Sequence, residues 1–117
     1  MNEYITVAVE LAAKSKYKHQ MGAVVVYGGK IVGRGFNYAH STGRPYGDGV
    51  HAEMKALNNT TAKFRAGCTV YVCRGSDINN LKLAKPCTAC QNIMKKLGVK
   101  YAWYSTGDEP QWAKMEL

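Results

Sequence analysis

Apolar residues at Tyr4, Ile5, Ala8, Leu11 and Ala12 recur at three- and four-residue steps, which predicts an amphipathic helix from Asn2 to about Lys16. Asn2 suits its N-cap, Glu3 its first turn, and Lys14, Lys16 and Lys18 its end. The pattern then changes. Gly22 to Tyr27 is rich in β-branched residues and predicts a buried strand. Gly28-Gly29 predicts a hairpin turn, with Lys30 to Phe36 as the returning strand. From Asn37 to Val50 the periodicity is lost among Gly43, Pro45, Gly47 and Gly49. A loop of this length in a compact domain is usually functional.

A second helix is predicted to begin at His51 and run to about Lys63, with Ala52, Met54, Ala56 and Leu57 giving it an inward face. Cys68 to Arg74 predicts a third strand, and Gly75 to Lys85 a polar connection. A third helix runs from about Cys87 to Leu97, stopped by Gly98. Val99 to Ser105 predicts a fourth strand. From Thr106 onward Gly107 and Pro110 break the pattern, and the tail is expected to be loose or docked. The order helix, hairpin, helix, strand, helix, strand implies an α/β fold, a mixed sheet with helices on both faces, in one domain over residues 1–117.

The chain of 117 residues can bury a real but modest core, which oligomerisation would help. Hydrophobic residues at 46% and charged residues at 21% fit a soluble globular protein. The longest apolar runs are too short to span a bilayer. Glu3 and Glu10 stand where a signal or transit peptide would be basic, so a cytoplasmic protein with no membrane partner is expected. In that setting Cys68, Cys73, Cys87 and Cys90 favour metal or redox use over disulfides. The formal charge of +8 favours anionic partners, nucleotides or nucleic acid, and is equally accounted for as a solubility charge. The lysines and arginines are scattered, which weakens the nucleic-acid reading.

Two stretches carry the chemistry: His51-Ala52-Glu53, and Pro86-Cys87-Thr88-Ala89-Cys90. Cys-x-x-Cys at a helix start places two sulfurs at one end of the helix, where the N-terminus favours thiolates. Alone it could be half of a structural zinc site, a redox pair or an active-site metal pair. His51 follows a glycine-rich loop and opens a helix, where a ligand can approach. One imidazole and two thiolates suit a tetrahedral Zn²⁺ with its fourth position open to water. Glu53, two residues on, is a carboxylate that need not bind metal and suits a general acid/base; the bland alternative is a dipole-favoured residue on a solvated face.

Together these stretches resemble the H-x-E…P-C-x-x-C signature of the cytidine/deoxycytidylate deaminase superfamily, a signature that is itself a standard worked example of zinc deaminase chemistry. The resemblance extends to Gly22-Ala23-Val24-Val25-Val26, to Gly33-Arg34-Gly35-Phe36-Asn37 and to His51 through Leu57. It implies a three-layer α/β/α fold, cytidine deaminase-like, with a mixed four- to five-stranded sheet. It implies Zn²⁺ held by His51, Cys87 and Cys90, and Glu53 as the catalytic acid/base. It also implies that Ala52 puts a backbone group near the base edge and that Asn37 bonds the sugar. Tyr38, Tyr46, Trp103 or Tyr104 could stack on the base, although core or surface packing is the favoured reading for each.

Two departures stand out. The link from Cys73 to Lys85 is long and carries Arg74, Asp77 and Lys82, and the chain ends soon after the fourth strand, so a fifth strand is either absent or short. A second zinc is unsupported, and Cys68 and Cys73 are expected to be buried thiols. The expected reaction converts the cytosine of a free nucleoside or nucleotide (cytidine, deoxycytidine or dCMP) to uracil with release of ammonia. Arg44 and Arg74 head the candidates for a phosphate, with Arg34, His40, Ser41, Thr42 and Lys85. The alternatives are a deaminase acting on a base within RNA or single-stranded DNA, and a zinc-stabilised binding domain without catalysis. A homo-oligomer is expected from the superfamily and from the small size.

Overall fold

Alternation along Met21–Tyr27 (β1) sends Ala23 and Val25 to one side of a sheet and Val24 and Val26 to the other, all of them buried. A strand apolar on both faces must sit inside the sheet. In the computed structural model, which describes residues 3–38 and 51–117, β1 lies between Lys30–Phe36 (β2) and Thr69–Arg74 (β3), antiparallel to both. Tyr101–Ser105 (β4) pairs parallel with β3, and Trp112–Glu116 (β5) pairs antiparallel with β4. The strand order is β2-β1-β3-β4-β5. The mixed α/β sheet is therefore five-stranded, and the tail expected to be loose or docked is docked as an edge strand.

The β1–β2 turn needs two residues of positive φ, and Gly28 and Gly29 supply them at 59° and 78°. The two strands are in register except for an irregularity between Val25 and Val26.

Helices cover both faces. Glu3–Ala12 (α1) buries Ile5, Ala8, Val9, Leu11 and Ala12; Leu11 packs with Val24 and Val26, and Ala8, Val9 and Ala12 with Cys73. It crosses β1 closely: a Cβ on Gly22 would stand 2.0 Å from the Ala8 carbonyl oxygen. The helix is shorter than the expected Asn2–Lys16. Beyond Ala12 the backbone tightens, with Lys14 N bonded to Leu11 O and Ser15 N to Ala12 O, and the Ser15 hydroxyl donates to Asn37 O.

On the other face lie Ala52–Asn58 (α2) and Thr88–Leu97 (α3). Ala52, Ala56 and Leu57 of α2 join Cys90 and Met94 of α3 over Ala23, Val25, Val70 and Val72. Helix α2 stops at Asn58 instead of about Lys63. Asn59 Nδ2 donates to Arg34 O, and Thr60 Oγ1 donates to Ala56 O, so short polar side chains compete with the helix backbone. A short 3-10 turn, Ala62–Phe64, follows. Helix α3 ends as expected at Gly98, whose φ of 87° is left-handed. No helix among the described residues is long and apolar enough to cross a membrane.

Candidate active site

Helix α2 lies on β2 where β2 has no side chains. A Cβ on Gly35 would come 2.5 Å from Ala56 N and 2.8 Å from Ala52 O. This contact sets the N-terminus of α2 above the end of β2, beside Phe36 and Asn37. Helix α3 follows β3 and runs back from the end of the sheet where β3 finishes, since Gly98 at its far end meets Ala66 just before β3 begins. The N-termini of α2 and α3 therefore meet at one end of the sheet.

His51 is the N-cap of α2 and Cys87 the N-cap of α3. Cys90 is buried one turn into α3, with its N–H directed to Cys87 Sγ at 3.5 Å. His51 Nδ1 lies 3.1 Å from Cys90 Sγ, and the donor atoms of His51, Cys87 and Cys90 all lie within 4.8 Å of one another. Pro86 at the entry to α3 has its carbonyl held by Gln91 Nε2 at 2.8 Å. Residues 39 apart in sequence are thus in contact because two helix starts converge.

Glu53 is 2% exposed, and its Oε1 stands 4.0 Å from His51 Nδ1. Burial pushes its carboxyl above the usual carboxylate range, against the opposing pull of its own backbone N–H and of His51. The Cys90 thiol is pushed up as well, first by burial, then by the charges of Glu53 and Cys87. Two buried acids that resist ionisation, beside an imidazole, form a site that gains from a cation. One nitrogen and two sulfurs at these separations fit Zn²⁺, which takes four ligands and would keep one position open. Glu53 stands beside that group without being one of the three clustered donors.

The other candidates are distributed more widely. Ala52 is fully buried as the first residue of α2. Asn37 is buried at the end of β2, but its carboxamide is already engaged: Oδ1 accepts from Met21 N at 2.9 Å and Nδ2 donates to His19 O at 2.8 Å. Arg74 ends β3. Arg44, with His40, Ser41, Thr42 and Tyr46, lies outside the described residues. Arg34 pairs with Val24 and so points to the α1 face, away from the site. Trp103 stacks on Tyr71 with the rings 5° from parallel, also on the α1 side, whereas Tyr104 packs into the core under α2 and α3. Tyr38 is 36% exposed, with Lys55 Nζ over its ring. Cys68 and Cys73 are buried, free thiols.

Sequence reasoning missed His19. It precedes β1 in a polar stretch, and only the pairing of β1 with β3 brings it to Arg74, whose Nη2 lies 2.7 Å from His19 Nδ1.

Comparison with known proteins agrees with this geometry. The cytidine and deoxycytidylate deaminase zinc-binding region matches residues 1–106. The riboflavin biosynthesis protein RibD of Aquifex aeolicus is 35% identical over 115 residues, 90% of this chain; the chain spans 27% of that protein's length. Among solved structures, the dCMP deaminase of cyanophage S-TIM5 superposes with a TM-score of 0.70 at 24% identity, over 93% of this chain and 88% of that one. The cytidine deaminase of Burkholderia pseudomallei gives 0.65 at 23% identity, over 99% and 93%. With the family's region matched along nearly the whole chain and its fold reproduced, the chain belongs to the cytidine and deoxycytidylate deaminases.

Proposed function

We propose that the chain is a zinc-dependent hydrolytic deaminase that converts the cytosine of a free nucleoside or nucleotide to uracil and ammonia. The observation that carries this reading is Glu53, buried beside a His51–Cys87–Cys90 cluster yet outside it. A binding domain stabilised by zinc has no use for a buried carboxyl at that position. The phage dCMP deaminase of the same fold has been solved with dCMP and dUMP, which supports a nucleotide substrate.

His51, Cys87 and Cys90 would hold the ion, which when bound supplies the Lewis acidity that makes water a nucleophile near neutral pH. Glu53 accepts the proton of the attacking water as its oxygen bonds to C4 of the ring. The same carboxyl delivers that proton to N3, then takes the proton of the new C4 hydroxyl and passes it to the departing amine. The C4–N bond breaks, ammonia leaves, and the ring becomes a uracil. The raised proton affinity of Glu53 suits both halves of this shuttle, since a strongly acidic carboxyl would be a poor base. Ala52, at the helix start between His51 and Glu53, would present a backbone group to the base edge. Asn37, with both ends of its amide engaged by residues 19 and 21, would orient the sugar with its remaining hydrogen-bonding capacity.

The test is a panel of cytosine, cytidine, deoxycytidine, their monophosphates and triphosphates, adenosine compounds, other aminopyrimidines and single-stranded oligonucleotides, with amine-to-oxo conversion followed by mass. Conversion of free cytosine compounds is expected. Conversion confined to oligonucleotides, or to another aminopyrimidine, overturns the reading. Glu53→Gln is expected to keep the zinc and to lower kcat by roughly 10²- to 10⁴-fold.

A further inference from the structure

The end of the sheet beneath the His51–Cys87–Cys90 cluster carries a cation, Arg74, with which no carboxylate of the described residues pairs. Arg74 continues the alternation of Val70 and Val72, which face α2 and α3, and it pairs in register with Met21, whose side chain packs on the same face. It therefore stands on the site's face of the sheet and at the site's end. Its backbone is fixed on both sides: Arg74 N donates to Ser105 Oγ, and Arg74 O accepts from Lys82 N. Ser105 is itself buried, and its hydroxyl donates to Lys82 O at 2.6 Å.

The side chain is fixed as well. A guanidinium only donates, so the 2.7 Å contact with His19 Nδ1 makes that nitrogen the acceptor and leaves the proton on Nε2. His19 in turn is held by Asn37, whose Nδ2 donates to His19 O. Toward the described residues the pair thus presents donors alone: the remaining N–H groups of the guanidinium and the Nε2–H of His19. Among the described residues no carboxylate pairs with Arg74. A half-buried arginine whose guanidinium fork is set by a histidine is suited to hold an anion.

We propose that Arg74, positioned by His19, binds the phosphate monoester of a nucleotide substrate and so selects nucleotides over nucleosides. The proposal rests on the deaminase reading for the identity of the substrate, but the anion site stands on its own geometry. Asn37 joins the two parts of the site, since it bonds the backbone on either side of Gln20 while lying at the end of β2 beside the start of α2.

The experiment compares Arg74→Gln and His19→Ala with the parent, each zinc-loaded and checked for folding by circular dichroism. His19 is exposed, so its variant tests the idea even if Arg74→Gln does not fold. The first readout is the ratio of kcat/KM for deoxycytidine monophosphate to that for deoxycytidine. The second is the ratio of Kd values for deoxyuridine and its monophosphate by calorimetry, which needs no turnover. The parent is expected to prefer the monophosphate in both. Arg74→Gln is expected to cut each ratio by roughly 10- to 100-fold, the effect of losing a hydrogen bond to a charged group. His19→Ala is expected to cut each by a smaller factor in the same direction. A merely structural role would lower both substrates together and leave the ratios unchanged, which overturns the proposal. So does a parent that favours neither form, or one that binds oligonucleotides more tightly than the monophosphate. If the parent deaminates no cytosine compound yet binds the monophosphate through Arg74, the anion site stands and the deaminase reading falls. If it deaminates nucleosides and nucleotides equally well, the reverse holds.

Discussion

The two faces of this sheet use the same strands for different ends. Toward α2 and α3, small and apolar residues such as Ala23, Val25, Val70 and Val72 support a polar end holding His51, Glu53, Cys87 and Cys90. Toward α1, the face is filled by Leu11, Val24, Val26 and Tyr71, with Tyr4 and Trp103 flanking Tyr71. Because side chains alternate, the two faces interleave residue by residue along β1 and β3. Chemistry and packing are therefore separable by substitution even though they share a backbone.

That separation can be broken most severely from the site's side. Cys90→Ser should reduce bound zinc from about one per chain to a small fraction, since the remaining two donors make a poor tetrahedral site. Deaminase activity should fall with it, while the α1 face keeps its near-ultraviolet signal from the Tyr71–Trp103 stack. Elemental analysis beside circular dichroism checks both halves. If the aromatic signal collapses too, the faces are not independent.

A change on the α1 side should do the opposite. A methyl on Gly22 has to displace the backbone of α1, because the clash is with Ala8 O and Ala12 N and not with a flexible side chain. Gly22→Ala should cost roughly 3 kcal/mol of folding stability, at the upper end for overpacking. Urea unfolding measures this, and zinc per folded chain should be unchanged.

The smallest effect concerns Cys73, which lies against α1. Burial pushes its thiol from 9.0 up to about 12, opposed by a bond from the Gly22 backbone. The native state then holds this proton more tightly than the unfolded chain does. Stability from this source is complete below about pH 9 and is lost as pH rises toward 12. Cys73→Ala should flatten the decline of the urea midpoint between about pH 8.5 and pH 10, where the unfolded thiol titrates. An equally steep decline in the variant would place the effect elsewhere.

What could be read from the sequence divides along similar lines. The site residues were legible because each brings distinctive chemistry at a fixed spacing, and the hairpin because Gly28-Gly29 permits little else. The early end of α2 was not legible, since Ala62, Lys63 and Phe64 are compatible with a longer helix. It is set by Asn59 reaching a carbonyl of β2 and by Thr60 turning back on Ala56. Strand β5 is not decided by the sequence, because Trp-Ala-Lys-Met-Glu has no strong alternation; the free edge that β4 offers decides it. The Arg74–His19 contact joins residues 55 apart and depends on the β1–β3 register, which no local pattern encodes.

Helix α2 has a further consequence. At seven residues it is too short to persist alone in water. Its last turn is tied outward, with Arg65 Nε bonded to Leu57 O and Asn59 Nδ2 to Arg34 O on the edge strand β2. It cannot fray independently, so α2 and β2 should exchange their amide hydrogens as one cooperative unit. His51, as the N-cap of that helix, is thereby carried on a unit anchored to the edge of the sheet.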